Sequence, residues 1–464
     1  MKLAFSTFMA ALFMLTPVYG QEVTLPSDAD ITQILTDRID RDQAGTGIVV
    51  AVVENGKARF TSHGYFGRDD LRPVDEYTLF EAGSITKIFT NLLLAQLVLD
   101  GRIDLDAPIT NYLPAGTILP DFEGRAITAF DLSTHSSGLS GLPDDLMAAG
   151  LKNPYTGYGR QAFLDWLAGV RITRPIGQTF EYSIAGTALL ALAITHVDGR
   201  SYAQMLQEVI LDPLGMQQTS LALTGTVRPD MATGHDLSGA PVSHWDFDVF
   251  APAGALITSA SDLTKFMTAA SGQMETPLTP AFNLLLERTR SAGDGTKRVG
   301  LGPFISKLAK RTIVWHNGKT GGFNSFAGID RENGNGVIIL ANRISTSGIE
   351  DIGAHLLDKE QQLVQQPKPR MVARIDPALL QNYTGIYQLG LMTFMTVTAE
   401  QGQLFIQLTG QQRFAVYPES ETKFFVREVD AQISFSVRDG KTTSLTLHQN
   451  GRNLAALRVP DPHP

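Results

Sequence analysis

The run Gly47-Ile-Val-Val-Ala-Val-Val53 is apolar throughout, which suits a strand buried on both faces. Asn55-Gly56 follows it, a dipeptide favoured in two-residue hairpin turns, so Ala58 to Ser62 is expected to return beside it. The next strand signals of similar strength lie far along the chain, at Thr312 to Trp315, Phe323 to Ile329 and Gly336 to Leu340. Glu332-Asn333-Gly334 separates the last two as a turn. Between the clusters the pattern is helical, broken by Gly and Pro loops, with a short lead-in helix expected around Ile31 to Ile39. One sheet closed by strands from both ends around a helical middle is an α/β arrangement with non-local pairing.

Gln361 to Arg370 carries Pro367-Lys368-Pro369 and few apolar residues, so residues 361–372 read as a linker after a first domain at 22–360. In residues 373–464 short alternating segments recur: Thr384 to Tyr387, Thr393 to Ala399, Leu404 to Leu408, Phe414 to Tyr417, Lys423 to Val426, Ile433 to Val437, Ser444 to Leu447 and Ala455 to Val459. Gly402, Asp439-Gly440 and Asn450-Gly451 punctuate them, and the spacing predicts a small antiparallel barrel or sandwich. A chain of 464 residues, 43% hydrophobic and 18% charged, has apolar material for more than one core.

Residues 1–20 read as a secretory signal: Lys2 at the start, an apolar stretch from Leu3 to Leu15, then Val18-Tyr19-Gly20, with cleavage expected before Gln21. The stretch is short against the ~20 apolar residues of a membrane span, and Pro17 interrupts it. The expectation is a periplasmic or secreted protein with no stable membrane span. A net charge of −9 with no long basic run disfavours nucleic acid or anionic lipid as partner. The partner expected is a small-molecule or peptide substrate. No cysteine is present, which excludes disulfides, a thiol nucleophile and thiolate metal sites. The nine histidines show no ligand spacing with nearby acids, so neither metal nor cofactor is expected. No Gly-x-Ser-x-Gly elbow or phosphate-cradling loop occurs.

Phe80-Glu-Ala-Gly-Ser84-Ile-Thr-Lys87 opens a helix expected to run to about Leu99, apolar around most of its circumference. Lys87 is its only charged residue between Ala82 and Leu99. Ser84 and Lys87 lie three apart and so share a face. A lysine kept from water can lose its proton near neutral pH and act as base for the serine, whose place at a helix N-terminus favours developing negative charge. The plainer alternative makes Ser84 an N-cap and lets Lys87 reach the surface.

The surrounding segments bear on that choice. Asp104-Leu-Asp-Ala-Pro108, Tyr112-Leu-Pro114, Thr134-His-Ser-Ser-Gly-Leu139, Leu211-Asp-Pro-Leu-Gly-Met216 and Ala251-Pro-Ala-Gly-Ala255 resemble, in order, landmarks of the class C β-lactamase and penicillin-binding-protein family. That resemblance implies an antiparallel sheet flanked by helices plus a helical subdomain, an acyl-serine mechanism on Ser84, and a lipocalin-like appended domain. It implies that Tyr182, in Phe180-Glu-Tyr-Ser-Ile184, shares proton transfer with Lys87. Where the family commonly has an amide-contacting asparagine, this chain has Ile184, which cannot hydrogen-bond. The third family motif, aligned without a gap on Thr320-Gly-Gly-Phe323, falls on His316-Asn317-Gly318, with the Lys319 amide joining that of Ser84 to hold the oxyanion. The alternative register takes Lys319-Thr-Gly321 as the triplet. His135 is expected to hold a loop. An ester or amide hydrolase, an esterase or weak β-lactamase, is the leading expectation. A D-alanyl-D-alanine carboxypeptidase and a non-catalytic β-lactam or peptide sensor are the others.

Overall fold

A computed structural model describes residues 25–460 except 144–145, 147–152, 222–227, 294, 309–310, 346–347, 367–371, 391–392, 410–412, 427–430, 439 and 450. The expected signal segment and Pro367-Lys368-Pro369 lie outside the described residues.

Gly47–Glu54 sits inside an eight-stranded antiparallel sheet, as its unbroken apolar character requires. On one side it pairs with Lys57–Gly64, on the other with Asn335–Ala341, in the register Val50↔Ile339. Asn324–Asp330, Arg311–Lys319, Phe304–Leu308, Lys297–Val299 and Arg290–Ser291 complete the order. Alternate residues serve two cores. Ile48, Val50 and Val52 pack with Leu35, Ile352 and Leu356 on one face. Val49, Ala51 and Val53 face the larger core that holds Leu93, Leu263 and Phe266. Burial on both faces explains a strand with no polar alternation.

The lead-in helix is Asp28–Thr36, capped by Ser27, and continues as a wider turn to Arg41. The three strands spanning Arg290 to Leu308 were not expected. They lie at the sheet's outer edge, and their Arg, Lys and Ser positions break the apolar signal that a central strand gives. The middle of the chain is mainly helical, and its two most apolar helices, Thr86–Leu99 and Ile184–Asp198, pack against each other.

The C-terminal strands form a closed antiparallel barrel. Its eight strands run from Gly385–Gln388 to Arg452–Val459, and the pairing Tyr387↔Arg458 seals it. Each predicted segment overlaps one of these strands, and the barrel, not a sandwich, is what forms. Tyr387, Val397, Phe424, Ile433, Phe435 and Leu445 fill a core separate from the two above. Among the described residues no helix is long and apolar enough to cross a membrane.

Candidate active site

Ser84 lies in a short 3-10 turn, Gly83–Ile85, that runs directly into the helix Thr86–Leu99. The turn is clamped from both sides. Ala82 N–H donates to the Leu256 carbonyl at 2.8 Å, and the Thr86 hydroxyl donates to Gly83 O at 2.6 Å while accepting from Leu256 N–H at 3.1 Å. Gly83 holds φ of 53°, and a Cβ there would lie 2.8 Å from the Lys319 nitrogen. Only glycine lets the turn approach the strand end so closely.

Lys87 follows one helical turn later, with its side chain wholly buried. Its Nζ is 3.0 Å from Ser84 Oγ and donates to the Ala253 carbonyl at 2.7 Å. Among the described residues no carboxylate pairs with it, and desolvation lowers its pKa from 10.5 to about 7. The lysine that composition marked out as anomalous is therefore a poised amine.

Tyr182 precedes the cap of the helix Ile184–Asp198, whose N-terminus Ser183 Oγ caps through Gly186 N–H. Its ring lies 4.9 Å from Lys87 Nζ. Its hydroxyl is buried and has no well-formed hydrogen bond; burial pushes its pKa up, partly opposed by the nearby Ser84 side chain. The segment is fastened by Glu181 N–H to His135 O at 2.7 Å and Ser183 N–H to His135 Nδ1 at 3.2 Å. His135 thus holds a loop, as expected, yet its ring also packs 4.4 Å from the Tyr182 ring.

The strand Arg311–Lys319 supplies the opposite wall, and its alternation sorts the predicted residues. His316 is buried, its ring 6.2 Å from that of Tyr182 and 5.2 Å from that of Phe304. Gly318 faces the same way, and a Cβ there would strike the Ala82 carbonyl at 2.0 Å. Asn317 and Lys319 project from the other face. The Asn317 amide donates to Glu350, so the structure does not bring that side chain to Ser84. The Lys319 side chain is exposed, and only its backbone meets the turn. Thr320 N–H donates to Phe323 O at 3.0 Å, which makes Lys319↔Asn324 a non-hydrogen-bonded pair and turns the Lys319 N–H away from the neighbouring strand. Ser84, Lys87, Tyr182, His316, Gly318 and the Lys319 backbone therefore converge, and the side chains of Asn317 and Lys319 do not.

Several neighbours carried no sequence signal. Glu81, buried three residues before Ser84, is 2.9 Å from His244 Nδ1 and accepts from Trp245 N–H at 3.3 Å. Trp245 stands against Gly321, where a Cβ would meet its Nε1 at 2.5 Å, and its ring centroid is 5.4 Å from that of Tyr155. These partners are far apart in sequence and share no spacing. Among the described residues no group of three His, Asp or Glu is placed to hold a metal ion.

The family model described as beta-lactamase matches residues 31–360, and a domain of unknown function, DUF3471, matches residues 369–458. A beta-lactamase of Pseudomonas fluorescens is 25% identical over 350 residues, covering 68% of this chain and 94% of that protein. The D-alanyl-D-alanine-carboxypeptidase/endopeptidase AmpH of Escherichia coli K12 is 29% identical over 232 residues, which is 49% of this chain and 58% of AmpH. The octameric penicillin-binding protein homologue of Pyrococcus abyssi superposes with a TM-score of 0.63 at 21% identity, over 92% of this chain and 99% of that one.

Proposed function

The chain belongs to the beta-lactamase family, and on that premise we propose that it is an acyl-serine hydrolase whose preferred substrates are esters. The observation that carries the reading is the buried Lys87 Nζ 3.0 Å from Ser84 Oγ. An amine with a pKa near 7 is about half unprotonated at neutral pH, and that free-base fraction takes the serine proton as Oγ attacks the carbonyl carbon. Tyr182, beside both, passes that proton to the leaving group. The acyl group stays on Ser84 until water, deprotonated by the same pair, releases it. The backbone amides of Ser84 and Lys319 hold the oxygen on which charge develops. Ile184, in place of an amide-contacting side chain, supports esters over amides, because a missing hydrogen bond withholds about 1 kcal/mol from an amide substrate.

The similarity to AmpH supports a second reading, carboxypeptidase action on D-alanyl-D-alanine peptides. We infer also that Lys2 and the apolar stretch after it export the protein to the periplasm or medium. A mature N-terminus at Gln21 is the expected sequencing result; retention of Met1 in the exported protein would exclude it.

The test is turnover of p-nitrophenyl acetate, nitrocefin and a D-Ala-D-Ala peptide by wild type and Ser84→Ala, with a fluorophosphonate label mapped by mass spectrometry. Label on Ser84 and ester turnover that falls at least ~10³-fold in Ser84→Ala are expected. Undiminished turnover in Ser84→Ala overturns the reading, and preference for the peptide selects the second.

A further inference from the structure

Two buried histidines flank Tyr182, and the backbone fixes their tautomers in opposite senses. His135 Nδ1 accepts from Ser183 N–H, so its proton sits on Nε2. His316 Nδ1 lies 2.5 Å from the Asn317 carbonyl oxygen, which can only accept, so its proton sits on Nδ1 and its Nε2 carries a lone pair. Both Nε2 atoms are buried and without a partner. His316 faces the rings of Tyr182 and Phe304 and the Lys87 amine, with no carboxylate near it. Burial, then the proximity of Lys87, draws its pKa down to about 3, so the ring stays neutral across the ordinary working range.

Lys319, the basic residue at this strand end, projects its side chain to the opposite face, the one on which Asn317 meets Glu350. Lys87 is committed to Ser84 and the Ala253 carbonyl. Among the described residues the strand wall of the cleft therefore offers a lone pair and aromatic rings where an anion would need a positive charge. A carboxylate moved there loses its hydration and finds no counter-charge. An uncharged acyl group loses little water and meets the rings of Tyr182 and Phe304 beside His316.

We propose that His316, whose Nδ1 proton is held by the Asn317 carbonyl and whose free Nε2 can only accept, makes this cleft select substrates that carry no carboxylate beside the scissile carbonyl. The proposal rests on the acyl-serine reading and narrows it to uncharged esters, lactones or amides.

A matched pair tests it: mono-p-nitrophenyl glutarate, which bears a free carboxylate, and its methyl ester, which does not. Wild type at pH 7.5 should show kcat/KM at least about tenfold higher for the methyl ester, the scale of one charge-assisted hydrogen bond. Equal or better turnover of the free acid overturns the proposal on the unmodified protein alone. His316→Gln, neutral like the native ring, should keep the preference. His316→Lys should narrow it by roughly tenfold through a better KM for the acid. A merely structural role for His316 would lower both substrates together in both variants, and that result also counts against selection by charge. Loss of discrimination leaves Ser84 labelling intact, whereas failure of Ser84 to label sinks the acyl-serine reading itself.

Discussion

The hydrolase cleft and the C-terminal barrel treat buried polar groups in opposite ways. Around Ser84, the Nε2 atoms of His135 and His316, the Tyr182 hydroxyl, the Trp245 indole nitrogen and the Thr320 hydroxyl are all buried without a hydrogen-bond partner. In the barrel Thr442 Oγ1 alone, among the described residues, has that status. There the buried Tyr387 hydroxyl donates to the Tyr383 carbonyl at 2.7 Å, and the Tyr383 hydroxyl donates to the Glu421 carbonyl at 2.9 Å. A buried polar group met by neither protein nor water costs ~1–3 kcal/mol, and several without a protein partner around one nucleophile are groups that a polar substrate or transition state can complete. The barrel's buried tyrosine hydroxyls are met by backbone carbonyls. The named groups of the cleft have no protein partner.

That contrast predicts where mutations will act. Lys87→Met has the largest expected effect: it removes the amine but keeps the buried volume, so kcat/KM should fall about 10²–10⁴-fold while the unfolding midpoint holds or rises. The wild-type pH profile should have an acid limb near 7, because below that pH Lys87 is protonated and cannot accept from Ser84. A limb that persists in Lys87→Met would assign it to another group. Phe435→Ala acts on the other region. Its ring stacks 4.5 Å from Tyr383 and lies 5.6 Å from Phe424, so its loss should cost the barrel ~3–5 kcal/mol in denaturant unfolding. The kcat of the folded protein should not change. A matching fall in kcat would break the comparison and give the barrel a part in turnover.

Legibility in the sequence followed the same division. The barrel strands were readable because most alternate polar and apolar residues and end at a turn, a signal contained within one segment. Gly47–Glu54 was readable for the opposite reason, its lack of alternation, which with the late strand cluster implied one sheet; that its partner is Asn335–Ala341 came from the structure. The pairing of Ser84 with Lys87 is local to one helical turn and could be read from spacing. The grip of Ala253 O on Lys87 is a backbone contact from a distant loop and leaves no residue signature. The same holds for Glu81 with His244 and Trp245, where neither partner's identity demands the other. Strand parity bears on what alignment left open. His316 and Gly318 share the Ser84 face; Asn317 and Lys319 cannot join them without a slip of one residue.

Glu81 gives the smallest effect and the finest probe of the contrast. It is a buried carboxylate that touches no reacting atom, but it joins the turn bearing Ser84 to the segment bearing Trp245. Glu81→Gln keeps an oxygen for the Trp245 amide and loses only the charge, so a change of less than about 1 kcal/mol is expected. Glu81→Ala leaves the Trp245 amide unpartnered, costs ~1–3 kcal/mol and lets the indole drift from Gly321. Because Trp245 packs on Gly321, two residues past Lys319, and not on Ser84, KM for an aromatic ester should rise several-fold in Glu81→Ala, with kcat nearly constant. Glu81→Gln should restore most of that loss. A fall in kcat with KM unchanged would instead mean that Glu81 holds Ser84 itself in place, and would move this carboxylate from the wall of the cleft to its chemistry.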